Sequence, residues 1–216
     1  MKRMLALLCV ITCAAVPAQA QDVAGLAKQL KDPDTDTRRR AAKELAEAGA
    51  AAKPAVPALT AALKDKDLFV RRFSAQALGE VGPDAKEAVR DLVTLLRDPR
   101  REVGEAAATA LGKIGDKEAV VPLANAVKDR NRDAAVRRKA AEALGRLKTD
   151  SPAAIKALTE SLKDKEIRTD AAKALGDIGP AAKDAVPALK AAVVKERDRT
   201  FKMVVNQAVR KIESGK

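Results

Sequence analysis

The sequence contains no histidine, so the candidates for binding or catalysis are mainly glycines, whose backbone could bind a phosphate, and carboxylates. Gly79 and Gly82 stand three apart in "ALGEVGPDAKEAV" (77–89), a spacing that some phosphate-binding loops use. Such a loop places its glycines before a helix, where free N–H groups face the anion. Here the glycines follow Leu78 at the end of an apolar stretch. We therefore predict that Gly79 lets a neighbouring helix pack closely, and that Gly82 ends the helix in a left-handed conformation before Pro83.

Catalytic and metal chemistry lacks its usual side chains. Zinc sites and nucleophilic triads need histidine or cysteine, and Cys9 and Cys13 lie within the first 20 residues. The serines stand in no Gly-x-Ser-x-Gly context, and no P-loop is present. Paired acids such as Asp170 and Asp177 could hydrolyse a glycoside, but their spacing among lysines is typical of a solvated helix face. We expect no enzymatic activity, no metal and no cofactor.

The first 20 residues have the features of a cleavable signal peptide. Lys2 and Arg3 precede a short apolar run (4–16), and Ala18 and Ala20 supply the small residues of a cleavage site. The run is too short for a membrane-spanning anchor, which needs about 20 apolar residues. We predict cleavage after Ala20 and a periplasmic or secreted protein. Lipidation at Cys13 is the alternative, and Thr12 before that cysteine fits it poorly.

Cleavage would leave a basic chain without cysteine. The net charge of +12 would become +10, because the signal peptide carries two positive and no negative residues. Such a chain forms no disulfide and depends on packing alone. Alanine supplies much of the 47% hydrophobic content, and Trp and Tyr are absent. This composition suits thin layers of closely packed helices rather than a thick core.

A repeat of about 33 residues covers nearly all of the predicted mature chain. "ALGEVGPDAKEAV" returns as "ALGDIGPAAKDAV" (174–186), and two further copies begin at residues 110 and 143. The leucines that anchor successive copies are spaced by 33, 33, 33 and 31 residues, with Val209 another 34 residues on. Seven residues before each anchor stands an arginine in four of the six copies. The leucine anchors are Leu45, Leu78, Leu111, Leu144 and Leu175.

Each period contains two helical stretches separated by a short polar turn. In the second copy, 54–65 and 70–82 both place apolar residues at helical spacing, and no stretch alternates as a strand would. Helix pairs of this size must stack on their neighbours to bury their apolar faces. We therefore predict an all-α solenoid of six pairs. Their approximate bounds are 22–49, 54–82, 86–115, 118–148, 152–179 and 183–213.

These residues resemble HEAT repeats, in particular the short bacterial HEAT-like type of phycobilisome lyase-related proteins. "LKDKDLFVRRFSAQALGEVG" and "LKDKEIRTDAAKALGDIG" share an Asp that ends the first helix and "A-x-A-L-G-x-I-G" closing the second. The resemblance implies a right-handed superhelical arc with first helices on the convex side and second helices lining the concave side. It implies no single activity, because the family mainly holds partners.

The resemblance also implies ladders of turn aspartates and arginines between repeats. Asp32 and Arg38, like Asp65 and Arg71, stand six residues apart. The third copy has Gly104 in place of arginine, the fourth is lengthened before Arg137, and the fifth is shortened before Arg168. An identical ladder is therefore not expected throughout. The other predicted structural positions are Leu78, Gly79, Gly82, Leu111, Leu144, Leu175, Gly176 and Gly179.

The concave side is the predicted working surface, because solenoids usually bind there. We predict that five residues engage an acidic partner protein: Arg39, Arg72, Phe73, Arg138 and Lys139. The alternative is that they are ordinary solvated helix residues. The charge of the chain raises a second function, binding of anionic lipid or acidic glycan. DNA is disfavoured because stacking aromatics are almost absent. We expect a monomer.

Overall fold

The computed structural model describes residues 22–215, so the predicted signal peptide and Cys13 lie outside the described residues. The described chain contains α-helices and short 3-10 segments, and no strand. No described helix is long and apolar enough to cross a bilayer. The α-helices are α1 (Val23–Gln29), α2 (Thr35–Ala48), α3 (Val56–Ala62), α4 (Leu68–Val81), α5 (Val89–Leu95), α6 (Arg101–Ile114), α7 (Val120–Lys128), α8 (Ala134–Arg146), α9 (Pro152–Ser161), α10 (Arg168–Ile178), α11 (Val186–Ala192) and α12 (Arg199–Ser214).

Most second helices begin at an aspartate that caps their free N–H groups. The carboxylate of Asp67 accepts from the N–H groups of Phe69 and Val70, and Asp34, Asp133 and Asp198 act in the same way at α2, α8 and α12. Two second helices lack this device. α6 begins after Arg100 and α10 after Ile167, and neither residue makes a side-chain capping bond.

The six predicted helix pairs stack into a two-layer solenoid. The second helices contact one another in order from α2 to α12, whereas most first helices reach the next pair through the 3-10 segment that precedes its first helix. Closer packing in one layer bends a stack of helix pairs towards that layer, so we infer that the second helices line the concave side. The all-α solenoid prediction is confirmed. The leucine anchors are completely buried between the layers: Leu45, Leu78, Leu111, Leu144 and Leu175.

Glycines let neighbouring second helices approach to backbone contact. A Cβ atom on Gly79 would lie 2.9 Å from the Cα atom of Ala110, and a Cβ on Gly176 would lie 2.7 Å from that of Ala208. Gly112 and Gly145 meet the next helix in the same way. We call these four residues the glycine row. The absence of a side chain at these four positions therefore fixes the inter-helix distance.

Gly82 ends α4 as predicted, but not in the left-handed helical conformation. Its φ of 72° is combined with a ψ of −140°, and Gly179 has almost the same angles. A positive φ of this kind suits glycine and strains other residues. The chain then enters a 3-10 segment (Gly82–Ala88), which has Pro83 in its first turn and leads into α5. Pro83 therefore starts the next turn of helix.

α12 is the last described helix of the stack. Phe201, Val205 and Ile212 of α12 are buried, whereas Met203 on its outer side is 63% exposed. Arg210 follows the last anchor position and so occupies the place that glycine holds in the glycine row. A long charged side chain there prevents another helix from approaching as closely. The outer side of α12 is therefore less suited to close helix packing than the glycine row.

Candidate functional site

The turn arginines form a ladder that joins consecutive helix pairs. Arg71 donates from Nε and Nη2 to the carboxylate of Asp98 in the next turn, at 2.7 and 3.1 Å. Its Nη1 donates to the carbonyl oxygens of Asp65 and Lys66. Arg38 makes the same bonds to Asp65, with the Asp32 carbonyl as an acceptor. These guanidinium groups are hydrogen-bonded within the protein and are not available to a partner.

The ladder continues where the repeat changes length, with glutamates as additional or replacement acceptors. Arg137 is buried and donates to the carboxylates of Asp164 and Glu166, at 2.5 and 2.6 Å. Arg168 pairs with Glu196 and more distantly with Asp198, at 3.5 Å. The shortened turn therefore changes the partners and keeps the link between pairs.

Arg132 takes over where the third copy lacks its arginine. Gly104 lies against Val136, and a Cβ atom on Gly104 would lie 3.6 Å from the carbonyl oxygen of Leu96. Arg132, from the lengthened turn of the fourth copy, donates to that carbonyl and pairs with Asp129 at 3.2 Å. Its side chain is only 11% exposed. The insertion in one repeat therefore compensates for the glycine in the preceding one.

The exposed sides of the second helices form the concave face. Arg39 lies on it but is fully engaged, because its Nε and Nη2 atoms donate to the carboxylate of Asp67 at 2.9 and 2.6 Å, and Nη1 donates to Asp36. The hydrogen bond from Arg39 lowers the pKa of Asp67 from 3.8 to about 2. Arg39 thus joins α2 to the start of α4.

Arg72 and Phe73 lie on the concave face in a cluster with Phe69. The guanidinium of Arg72 lies over both rings, 4.6 Å from the centre of Phe73 and 5.6 Å from that of Phe69. The two rings stack with their centres 6.5 Å apart, and Arg39 lies 5.1 Å from the centre of Phe69. We call Arg39, Phe69, Arg72 and Phe73 the Phe–Arg cluster. Among the described residues, Arg72 has no carboxylate within ion-pair distance.

The other two predicted residues lie on α8. Arg138 is exposed and makes only a long bond, 3.4 Å, to the carbonyl of Ala134 in its own helix. Lys139 donates to Glu142 at 3.0 Å. On the neighbouring α10, burial raises the pKa of Asp170, and the positive charge of Arg138 partly opposes this shift. The five residues therefore form two separate groups, one on α2 and α4 and one on α8.

Two residues that matter here were not among those predicted. Phe69 lies one helical turn before Arg72 and Phe73, so the helical period could have placed it on the same face. Arg132 could not be found from its own repeat, because its role depends on a glycine 28 positions earlier.

Within residues 22–215, no group of three or more acidic, histidine or cysteine side chains could hold a metal. A shallow hollow of about 510 Å³ lies between α4 and α6, with Arg72, Glu105 and Ala106 at its edge. Its open shape suits contact with another macromolecule better than enclosure of a small substrate.

Comparison with known proteins agrees with this architecture. A family model described as HEAT repeats matches residues 23–97, 83–133 and 130–210. A crystal structure of an engineered protein is 28% identical, with a TM-score of 0.65 and coverage of 90% of this chain and 97% of that one. A second engineered protein is 24% identical over 90% and 99% of the two chains, with a TM-score of 0.66.

Designed armadillo repeat proteins share the same fold at lower identity. One, solved in complex with the peptide (KR)4, is 18% identical over 88% of this chain and 99% of that one, with a TM-score of 0.66. No curated protein sequence gave a significant match. The repeat of helix pairs, the arginine links between them and the family match over most of the sequence lead to one conclusion: the chain belongs to the HEAT-repeat family.

Proposed function

We propose that the protein is a non-catalytic scaffold of the cell envelope that holds a partner protein on its concave face. The observation that carries this proposal is the different use of arginines in the two parts of the molecule. The turn arginines are bound internally, whereas Arg72 and Arg138 on the concave face have no ion-pair partner among the described residues. Arginine presented on a curved helical surface is well suited to binding carboxylates of another protein.

The fold supports the same proposal. HEAT and armadillo repeats build extended surfaces rather than deep pockets, and the designed armadillo protein described above holds a peptide. The envelope location depends on the predicted signal peptide. Cleavage after Ala20 is testable by N-terminal sequencing of the protein purified from its source. An intact N-terminus or a lipid-modified Cys13 would contradict that part of the proposal.

Charge reversal tests the concave face. We expect that Arg72→Glu combined with Arg138→Glu abolishes cross-linking to the partner in the native source, because both positive charges would repel its carboxylates. The matched control is Arg90→Glu combined with Arg97→Glu. Both arginines are exposed on or just after the outer helix α5, and the control changes the net charge by the same amount. Unaltered cross-linking by the concave double variant would remove this face from consideration.

The second candidate function is electrostatic binding of a polyanion such as anionic lipid or acidic glycan. The net charge of the chain supports it. Counterion release makes such binding fall steeply with salt. We would measure retention on heparin and on vesicles of anionic lipid between about 50 and 200 mM salt, the range over which multi-contact polyanion binding collapses. Equal weakening by the concave and control double variants would favour this function over the scaffold.

A further inference from the structure

We propose that the Phe–Arg cluster docks a protein segment that carries one carboxylate beside an apolar side chain. This inference rests on the proposed scaffold function and specifies the chemistry of the partner. On α4, Phe69, Arg72 and Phe73 fall on one side of the helix because residues three and four apart share a face. Two of the three phenylalanines in the chain are thus placed at the surface beside arginine.

Arg72 lacks the internal partner that the preceding repeat provides. Arg39 pairs with Asp67, the residue that caps the next second helix. One repeat later, Arg72 occupies the position of Arg39, and the residue in the place of Asp67 is Arg100. Because a positively charged arginine stands where the preceding repeat has a carboxylate, Arg72 has no acceptor on this side of the stack.

The rings hold this unpaired guanidinium in place. Arg72 lies 4.6 Å from the centre of Phe73 and 5.6 Å from that of Phe69, so stacking restricts its conformations before any partner arrives. A planar guanidinium fixed in this way can bind a carboxylate through two parallel hydrogen bonds. Phe69 is 39% exposed and offers an apolar surface next to that contact. Buried aromatic and arginine contacts of this kind supply much of the energy at protein interfaces.

The charges around the neighbouring hollow favour a single carboxylate over a polyanion. Glu80 is paired with Lys113 at 2.6 Å, and Lys139 is paired with Glu142 at 3.0 Å. Glu105 also borders the hollow, and its nearest positive partner is Arg101 at 3.5 Å. The lysines at the hollow are thus already paired, so a polyanion would find only Arg72 unpaired among the described residues of this lining, whereas a single carboxylate needs no more than that. The surface therefore fits a protein segment better than a glycan or a lipid surface.

A random peptide display library panned against the purified protein tests this chemistry. We expect selected sequences to contain Asp or Glu within two positions of Phe, Tyr, Leu or Ile. Synthetic versions of the best peptides would then be measured by fluorescence anisotropy. We expect Arg72→Gln to weaken binding about tenfold or more, Phe69→Ala to weaken it less, and Arg90→Gln on the outer helix α5 to leave it unchanged. Exchange of the peptide carboxylate for its amide should have the same effect as Arg72→Gln, and it leaves the protein unaltered.

Several results would overturn the proposal. Selection of basic peptides, failure to select any peptide, or peptides that bind Arg72→Gln as tightly as the original protein would each do so. Cross-linking of the bound peptide distinguishes failure of the docking chemistry from failure of the proposed scaffold function. A peptide that is insensitive to Arg72→Gln but cross-links elsewhere on the concave face would refute the docking chemistry alone. A peptide that cross-links only to the outer helices would count against both.

Discussion

Alanine at Gly176 sets two opposing effects of known direction against each other. Within a helix, alanine is favoured over glycine by about 1 kcal/mol, because glycine loses more backbone freedom on folding. At Gly176, however, the new Cβ atom would lie 2.7 Å from the Cα and 2.9 Å from the Cβ of Ala208. Carbon atoms prefer about 3.5 Å or more, so α10 and α12 would have to separate by about 0.8 Å. Overpacking of this kind costs about 1–3 kcal/mol.

The expected net result is a loss of about 1 kcal/mol in the free energy of unfolding, the difference between the propensity gain and the overpacking cost. Urea unfolding followed by circular dichroism would measure it. Lys173, exposed on the same helix, provides the control, because Lys173→Ala and Lys173→Gly together give the local propensity difference without a clash. The effect should be smaller for Gly145→Ala, whose new Cβ would lie 3.1 Å from the nearest Cα. A more stable Gly176→Ala variant would refute the argument that the glycine row sets the helix spacing.

Three further predictions concern the links between pairs. Arg71→Ala should lower the free energy of unfolding by about 3 kcal/mol, because it leaves the carboxylate of Asp98, 6% exposed, without its partner; a urea midpoint within error of the original would contradict this. Arg132→Ala should cost about 1–3 kcal/mol by removing the donor to the Leu96 carbonyl, whereas Arg130→Ala in the same turn should cost little. The pKa of Asp67, lowered to about 2, means that its pairing with Arg39 stabilises the fold above about pH 4 and that this contribution is lost as the pH falls towards 2. The midpoint temperature of thermal unfolding should accordingly fall less steeply for Asp67→Asn than for the original protein as the pH is lowered over that range. Identical pH profiles for the two proteins would show that the pair contributes nothing.

The architecture could be predicted from the sequence because each repeat carries its own signals. The leucine anchors, the glycines that follow four of them and the polar turns recur at nearly the same spacing, and each acts through contacts that successive repeats make in much the same way. Gly79 is an example, because the close approach of a single neighbouring helix, α6, explains why this position has no side chain. The conformation of Gly82 was harder to predict, because the following 3-10 segment determines its ψ angle.

The candidate site was less predictable because it depends on pairs of residues in different repeats. Arg39 and Arg72 occupy the same position within their repeats, yet one is engaged and the other has no carboxylate partner. The difference lies 28 residues further on, where Asp67 is replaced by Arg100. Comparison of equivalent positions within the helices alone could not reveal this. Long-range partners of that kind need either the structure or a comparison of each arginine with the turn that follows it.

The exchange between Gly104 and Arg132 has a consequence for how this chain could change by loss or duplication of whole repeats. Helix pairs such as the second and the fifth carry both a ladder arginine and a turn carboxylate that accepts from the preceding pair. Such pairs could be removed or copied as units. The third and fourth pairs could not be separated in this way. Deletion of the fourth alone would leave the Leu96 carbonyl without its donor, and transfer of the fourth behind an ordinary repeat would bring two guanidinium groups to one place. These two pairs therefore form the smallest unit by which this part of the solenoid can be rearranged.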